Sequence, residues 1–266
     1  MPALLSIRAT LKYGDKAVLR NVTLEVAPGE VVGIVGQSGC GKSSLALALL
    51  GLLEMKGGRA EGTIAFAGQE LTKLSEGEYR RMRGSKMALV LQSPMSALNP
   101  ALRIGTQLRE AWSLHANGSR TQRNAAIREA LANVSLPSDD EFLKRFPAQL
   151  SVGQAQRVLI GMAILHKPAL LIADEATSAL DAITAAEILK LFAELNQRLG
   201  MSILFISHDL PSVADVCHRV AILHNGEVVE VAPPAELFAR PQHPYTKQLV
   251  SALPRVPGLA NGAPAN

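Results

Sequence analysis

The sequence has few cysteines, few aromatic residues and no apolar run of membrane-spanning length. Its two cysteines, Cys40 and Cys217, are too few for a disulfide framework, which favours a reducing compartment. Hydrophobic residues make up 48% of the chain, yet the longest apolar stretches, Leu45–Leu53 and Val158–Leu165, fall well short of the roughly 18 residues of a spanning helix. We therefore expect a soluble chain that reaches a membrane only through a partner.

Long charged runs and a secretory leader are also missing. The formal net charge is +4 with Lys and Arg scattered along the chain, so nucleic acid is not an expected partner. Arg8 and Lys12 interrupt the N-terminal stretch where a signal peptide would need an unbroken apolar run. A chain of 266 residues can bury a large core as one domain, or as one domain with an inserted lobe.

What the sequence does contain is a complete phosphate-binding loop, G-x-x-x-x-G-K-[ST], at residues 36–43. It follows a strand predicted at Val31–Val35 and precedes a helix predicted at Ser44–Leu50. Glycines let successive N–H groups turn towards phosphate oxygens, and the start of a helix favours an anion. The lysine can reach the β- and γ-phosphates of a nucleotide, and the serine that follows it can bind Mg²⁺. The predicted nucleotide-binding residues of the loop are Gly36, Ser38, Gly39, Cys40, Gly41, Lys42 and Ser43.

Two adjacent carboxylates, Asp174 and Glu175, follow an apolar strand predicted at Ala169–Ala173. Buried parallel strands have this composition, and ligands bind beyond their carboxyl ends. Asp174 can hold Mg²⁺ through water, and Glu175 can orient or deprotonate the water that attacks a γ-phosphate. The alternative, that both acids only cap the next helix, is disfavoured by the phosphate loop elsewhere in the chain.

Two further polar side chains follow predicted strands. Gln92 comes after Lys86–Leu91 and could contact Mg²⁺ or the attacking water, although an ordinary polar strand end is the alternative. His208 comes after Ser202–Ile206 and could donate a hydrogen bond to the γ-phosphate, although a structural histidine is the alternative.

Ser151 and Gln154 form a capping-box pattern at the start of an apolar helix. The simpler interpretation is a well-capped helix. The other is that Ser151 and the Gly153 amide grip a phosphate at the helix N-terminus. Because this helix start lies on a predicted helical lobe, that phosphate would belong to a nucleotide held by a second subunit.

The remaining pattern predicts an α/β fold with a helical insertion. Strand-like alternation covers Leu4–Tyr13 and Val18–Val26, and Thr63–Ala67 is another short strand, whereas residues 93–150 have helical periodicity. Within that stretch one helical face carries Ile104, Leu108, Ala111 and Trp112. A second helix has a capping box, Ser119 and Gln122, with an apolar face that includes Ile127, Leu131 and Val134.

Alternation of helices and strands resumes after the insertion. A helix is predicted at Asp181–Leu199, ended by Gly200. Asn225-Gly226 predicts a hairpin between Val220–Leu223 and Glu227–Val231. The last residues are rich in Pro, Ala and Gly and are expected to fray.

Taken in order, these motifs resemble the ATP-binding subunit of an ABC transporter over nearly the whole chain. The resemblance implies a P-loop NTPase fold with a parallel-sheet core, an N-terminal antiparallel β-subdomain and an inserted helical subdomain. It implies a RecA-like core with its β-subdomain at 1–92 and 157–232. The helical signature subdomain would be 93–156, and 233–266 a C-terminal extension with a His-Pro-Tyr motif.

The resemblance also implies a role for each site residue. Lys42, Ser43 and Ser44 would contact phosphates and Mg²⁺, and the aromatic Tyr13 would stack on adenine. The metal shell would be completed by Asp174 and Gln92, with Glu175 as catalytic base and His208 as γ-phosphate switch. The residues expected to bind the ATP held by the opposite subunit, or to line that interface, are Ser151, Gly153, Gln154 and Asp181.

A narrower resemblance, to the dipeptide, oligopeptide and nickel importer group, rests on residues 92–100 and on the tail Pro241–Thr246. It implies a peripheral protein at the cytoplasmic face of the cell membrane that hydrolyses ATP for import. The implied partners are a second, non-identical ATPase subunit, two transmembrane permeases and an extracytoplasmic solute-binding protein. The cargo could be a peptide, nickel or another small solute.

One residue departs from the family signature Leu-Ser-Gly-Gly-Gln, because Val152 replaces its first glycine. Valine disfavours positive φ and adds bulk where the backbone would approach phosphate, so we expect a weakened site.

Three alternatives to an importer ATPase follow from the same motifs. The first is the ATPase subunit of a soluble enzyme complex such as phosphonate carbon–phosphorus lyase, whose members share the His-Pro-Tyr tail. A translation or DNA-repair ABC ATPase would usually carry tandem cassettes or long coiled coils, which this chain lacks. A regulatory module without turnover is disfavoured by Glu175 and His208.

Overall fold

The computed structural model describes residues 2–253 of the chain, in which the strands form two sheets. The smaller sheet is antiparallel, with the strand order β2-β1-β4-β5. Its strands are β1 (Leu5–Tyr13), β2 (Lys16–Val26), β4 (Gly58–Phe66) and β5 (Gln69–Glu70). The strand predicted at Thr63–Ala67 is longer than expected because Tyr13 at the end of β1 pairs as far back as Gly58. Two glycines, Gly58 and Gly62, hid this length in the sequence.

The larger sheet has six strands in the order β10-β9-β3-β8-β7-β6, parallel except for β10 at one edge. Its strands are β3 (Val31–Gly36), β6 (Met87–Val90), β7 (Leu170–Asp174), β8 (Ser202–Ser207), β9 (Arg219–His224) and β10 (Glu227–Ala232). β3 and β8 are buried along their whole length, as their apolar composition predicts. The predicted hairpin joins β9 to β10 through Asn225-Gly226, which both have positive φ.

Helices cover both faces of the larger sheet. Their bounds are α1 (Lys42–Leu49), α2 (Glu76–Met82), α3 (Pro94–Ala97), α4 (Ile104–Ser113), α5 (Arg120–Asn133), α6 (Asp140–Lys144), α7 (Val152–Ile164), α8 (Ala182–Leu199), α9 (Leu210–Ala214), α10 (Pro234–Ala239) and α11 (Pro244–Ser251). The predicted capping boxes at Ser119 and Ser151 are confirmed. α2, capped by Ser75 and Glu78, was not expected from the sequence. The C-terminal residues expected to fray include 254–266, which lie outside the part of the chain that the structure describes.

Two hydrophobic cores lie on opposite sides of β3, because successive side chains of a strand alternate. Val31 and Val35 face a core shared with the helical insertion, α7 and α8. Val32 and Ile34 face a core shared with α1 and the antiparallel sheet. α7 begins in the insertion and continues into the first core, so the boundary drawn at residue 157 falls inside this helix. None of the helices within 2–253 is long and apolar enough to cross a membrane.

The parallel strands place the predicted site residues at one edge of the larger sheet. The phosphate loop follows β3, the carboxylate pair lies at the end of β7, and His208 follows β8. Gln92 lies two residues beyond β6, the neighbour of β7. The carboxyl edge of a parallel sheet is where α/β proteins bind their ligands.

Candidate active site

The phosphate loop needs glycine at its two ends, Gly36 and Gly41, because neighbouring backbone and side chains leave no room for a β-carbon there. A Cβ at Gly36 would lie 2.3 Å from the Leu223 carbonyl oxygen. Gly41 precedes α1 with φ +102°, and a Cβ there would lie 2.6 Å from Cδ2 of Leu19. The loop therefore approaches β9 and β2 closely while turning into the helix N-terminus.

Lys42 is buried at the base of this loop, with 4% of its surface exposed. Its ammonium donates hydrogen bonds to the carbonyl oxygens of Gly36 at 2.7 Å and Gln37 at 3.0 Å. These bonds offset the cost of burying the charge and hold it among the loop amides. A positively charged ammonium held within the loop in this way is suited to binding a phosphate group.

Asp174 and Ser43 meet at the mouth of the loop, where the Ser43 hydroxyl donates to Oδ1 of Asp174 at 3.4 Å. Burial raises the pKa of Asp174, the Ser43 hydroxyl opposes that increase, and the neighbouring Glu175 charge adds to it. A hydroxyl and a carboxylate are oxygen donors of the kind that Mg²⁺ prefers, so the pair fits this metal. Gln92 is exposed at the same sheet edge and could add a third oxygen.

Glu175 pairs with His208, whose Nδ1 lies 3.4 Å from Oε1 of the glutamate. Glu175 has φ +50°, a conformation that costs a non-glycine residue about 1–2 kcal/mol. Two contacts hold it there: its N–H donates to the Ile206 carbonyl at 2.9 Å, and its carbonyl accepts the N–H and hydroxyl of Ser178. These hydrogen bonds thus fix the backbone position from which the Glu175 side chain extends.

A cleft of about 680 Å³ opens beside this pair. Glu175, Ser178, Leu180, His208 and Ser212 are among the residues that line it. Lys42 and Ser43 lie outside this lining, so the cleft is adjacent to the phosphate loop and does not include it. Both predicted reactive side chains, the glutamate and the histidine, are therefore accessible from this side.

Tyr13 lies at the end of β1, with its hydroxyl 3.4 Å from the Ser44 hydroxyl on α1. Tyr13 is half-buried at the carboxyl end of this inner strand, near the start of α1. This places the predicted adenine-stacking residue next to a predicted phosphate ligand.

The signature residues lie at the start of α7, against the start of α8. Ser151 accepts the Gln154 N–H at 3.1 Å, and the Gln154 side chain accepts the Ser151 N–H at 3.1 Å. Asp181 caps α8 by accepting the amides of Ile183 and Thr184, which lower its pKa. A Cβ at Gly153 would lie 2.8 Å from Cγ2 of Thr184, so a larger residue at the second glycine of the signature would displace the Thr184 side chain on α8.

The φ argument against Val152 is wrong. Val152 is the first residue of α7 and is not among the residues with positive φ, so a valine meets no backbone penalty there. Its side chain is 43% exposed at the helix start. Of the two reasons for expecting a weakened site, only the added bulk of valine beside Ser151 remains.

Gln156 is a polar residue that sequence reasoning missed. It is fully buried in α7, and its Nε2 donates to the Leu91 carbonyl at 3.5 Å, directly before Gln92. This contact links the signature helix to the segment that follows β6. A glutamine among the apolar residues of α7 was the available signal.

Two family models match the chain. One, described as ABC transporter, matches residues 19–178, more than half of the chain. The other, described as oligopeptide/dipeptide transporter, C-terminal region, matches residues 229–264.

Several relatives cover most of the chain. It is 41% identical over 246 residues to the probable peptide ABC transporter ATP-binding protein y4tR of Sinorhizobium fredii, covering 91% of this chain and 73% of that protein. It is 40% identical over 257 residues to the dipeptide transport ATP-binding protein DppD of Escherichia coli, covering 95% and 79%. The glutathione import ATP-binding protein GsiA of Escherichia coli is 41% identical over 246 residues, covering 90% of this chain and 40% of that longer protein.

Solved structures of ABC cassettes have the same fold. cbiO1 from Clostridium perfringens, part of the ABC transporter complex cbiONQ, aligns with a TM-score of 0.79 at 26% identity, covering 90% of this chain and 91% of that one. The dimeric cassette MJ0796, bound to ADP and Pi, aligns with a TM-score of 0.71 at 28% identity, covering 85% and 98%. The chain therefore belongs to the ABC transporter family and is one of its ATP-binding, ATP-hydrolysing subunits.

Proposed function

We propose that this ATPase powers the import of peptides or chemically related small solutes. The observation that carries the proposal is the match of residues 229–264 to the oligopeptide/dipeptide transporter C-terminal region. The relatives named for dipeptide, peptide and glutathione transport support the same class of cargo. Nickel, which the sequence also allowed, has no support from these names.

The residues of the candidate site divide the chemistry among them. Lys42 and the amides of residues 36–43 bind the phosphates, with Ser44 beside them and Tyr13 against adenine. Ser43, Asp174 and Gln92 hold Mg²⁺, which supplies positive charge to the phosphates when bound. Glu175 orients the attacking water and accepts its proton as the terminal phosphate separates from ADP, while His208 donates to that phosphate.

The second half of each site comes from a second ATPase subunit. Ser151, Gly153 and Gln154 begin α7 on the helical lobe, and Asp181 begins α8 beside them. The capped N-terminus of α7 directs backbone amides outward to the γ-phosphate of ATP held by the other subunit. We expect that subunit to be a different protein, as in the group that the sequence resembles.

Closure of the pair around ATP moves the helical lobes, together with the start of α7, relative to the sheet core. That motion is transmitted to two transmembrane permeases, which receive solute from an extracytoplasmic binding protein. The ATPase lies at the cytoplasmic face of the membrane through its contact with the permeases. None of the relatives named above belongs to a carbon–phosphorus lyase, so the soluble-complex alternative is not favoured.

The proposal is tested by dipeptide-stimulated ATP hydrolysis in the complex assembled from this chain, its permeases, the second ATPase and the binding protein. Glu175→Gln removes the proposed base and should lower the rate by about two orders of magnitude while ATP still binds. Glu194→Gln, the same change at an exposed position of α8, is the matched control and should leave the rate unchanged. Stimulation by nickel but not by dipeptides, or an active Glu175→Gln complex, would contradict the proposal.

A further inference from the structure

The His-Pro-Tyr sequence at 243–245 takes no part in the proposed chemistry, yet the structure gives each residue a local role. Pro244 is the first residue of α11, where a missing N–H is harmless and a fixed φ suits the helix. Nδ1 of His243 accepts the Tyr245 N–H at 3.2 Å and so caps the helix. The first two residues of the motif therefore fix the start of α11 and the position of the third.

Glu230 on β10 anchors this helix start. Its carboxylate accepts the backbone N–H groups of Gln242 and His243, both at 2.9 Å. Burial alone would raise the pKa of Glu230. The neighbouring Thr246 hydroxyl and these two amides lower it, and the net shift is downward. A charged, hydrogen-bonded carboxylate thus ties α11 to the larger sheet.

The anchored helix packs the Tyr245 ring onto the strand that supports the phosphate loop. The ring stacks on His224, with centroids 3.8 Å apart and planes 19° apart, and Tyr245 is only 7% exposed. His224 is the last residue of β9, and its neighbour Leu223 pairs with Gly36, the first residue of the loop. The stack of Tyr245 on His224 therefore connects the C-terminal segment to the strand end that pairs with the first residue of the loop.

The loop folds back beside this strand end, so that Cys40 lies against Gly36. A Cβ at Gly36 would lie 2.9 Å from Cys40 Sγ. Burial raises the pKa of the Tyr245 phenol. The hydroxyl oxygen is buried and has no hydrogen bond of standard length within residues 2–253. Cys40 Sγ in turn lies 4.0 Å from Nζ of Lys42.

We propose that Tyr245 is a positioning residue for the phosphate loop: by stacking on His224 it holds Leu223 against Gly36 and so keeps the loop in the shape that binds ATP. The C-terminal segment thereby sets the ATP affinity of the ATPase without touching the reacting atoms. This inference rests on the ATP site of the proposed function but not on its cargo.

The first test measures the Kd for ATP of the purified full chain by calorimetry, and KM and kcat for hydrolysis by the complex assembled with the second ATPase subunit. Tyr245→Leu should raise Kd and KM about tenfold and leave kcat within about twofold, because the loop is loosened while Glu175 is untouched. Tyr245→Phe keeps the stack on His224 and should stay within about threefold of the native Kd. Tyr79→Leu, at a tyrosine that is equally buried (8% exposed) but packs on Gly51, should lower Tm without changing Kd.

The second test needs no nucleotide and so separates this contact from the proposed function. Loss of the Tyr245 ring should loosen the loop around half-buried Cys40 and raise its alkylation rate by N-ethylmaleimide at least fivefold, measured residue by residue with mass spectrometry. Cys217 is the internal reference, because burial raises its pKa to about 12 and keeps it unreactive. If Tyr245→Leu does not fold, His224→Leu removes the other ring and should give the same two results. A native Kd for ATP, or a native labelling rate at Cys40, in a folded variant would overturn the proposal.

Discussion

At the scale of one residue, Glu175 combines the role of the proposed base with a strained backbone conformation. Its left-handed backbone would suit glycine, yet glycine could not act as a base. The peptide groups on both sides are hydrogen-bonded, to Ile206 and to Ser178, so the fold can sustain the strain. We interpret the conformation as stability given up to direct the carboxylate towards the nucleotide.

Substitution of Glu175 by glycine and by alanine tests this strain directly. At an ordinary position alanine is the more stable of the two, but at φ +50° the order should reverse. Glu175→Gly should exceed Glu175→Ala by about 1 kcal/mol in the free energy of unfolding. Chemical denaturation of both variants measures the difference. An alanine variant that is as stable as the glycine variant would show that the residue is not strained.

Asp174 should make stability depend on pH in a definite direction. Its folded-state pKa lies above that of an exposed aspartate, chiefly because of burial, so its negative charge destabilises the fold at neutral pH. This cost is fully present above the folded pKa and disappears as pH falls below the ordinary value of 3.8. Without nucleotide and Mg²⁺, Asp174→Asn should therefore have a higher Tm than the native chain at pH 7.

The advantage of Asp174→Asn should shrink at pH 4, measured by thermal unfolding of both proteins in matched buffers. Adding ATP and Mg²⁺ at pH 7 should reverse the order, because only the native chain gains the stabilisation of metal-bound nucleotide. An advantage that grew towards low pH would mean that the carboxylate is not the unfavourable group.

Sequence reasoning located these two acids because an apolar strand that ends in carboxylates is a local pattern. It could not give the φ of Glu175, which depends on a bond to the neighbouring strand β8. For the same reason it missed the Tyr245 contact, since His224 and Tyr245 are distant in sequence and meet where Glu230 anchors α11 to the sheet. At Val152 the φ argument was wrong because this residue is the first of α7 and does not have a positive φ.

At the scale of elements, the start of α7 has two roles that substitution at Ser151 can separate. Ser151 caps the helix, and in the proposed mechanism it also faces phosphate of the other subunit. Ser151→Ala removes the cap and should lower the free energy of unfolding by about 1 kcal/mol. Ser151→Asp retains a good cap and should unfold like the native chain, as thermal and chemical denaturation can measure. An aspartate variant as unstable as the alanine variant would contradict the capping role.

Helices and strands with their own capping boxes or apolar patterns could be predicted from the sequence. Elements that form only through pairing or packing with a neighbouring element could not. α5 and α7 have capping boxes and apolar faces, and β3 and β8 are continuous apolar runs. The first half of β4 has two glycines and few apolar residues, and only pairing with β1 makes it a strand. The short helix α2 has a capping box but too little apolar periodicity to stand out.

At the scale of the whole molecule, the larger sheet collects residues from distant parts of the chain at one edge, while α7 presents its start on the helical lobe. In the proposed mechanism, one chain supplies the phosphate loop, the carboxylates and the histidine of one site, and the signature of another. The C-terminal segment adds a further connection, from α11 through His224 to the loop. The central claim is that hydrolysis needs Lys42 of one subunit and Ser151 of the other around the same ATP.

The rate of ATP hydrolysis by the assembled complex carrying Ser151→Asp tests this claim most directly. The added charge should repel the phosphate of the other subunit and lower the rate at that shared site by at least tenfold. The isolated variant chain should bind ATP at its own Lys42 loop with native affinity. A native rate in the complex, or a loss of ATP binding by the isolated folded chain, would contradict the shared site.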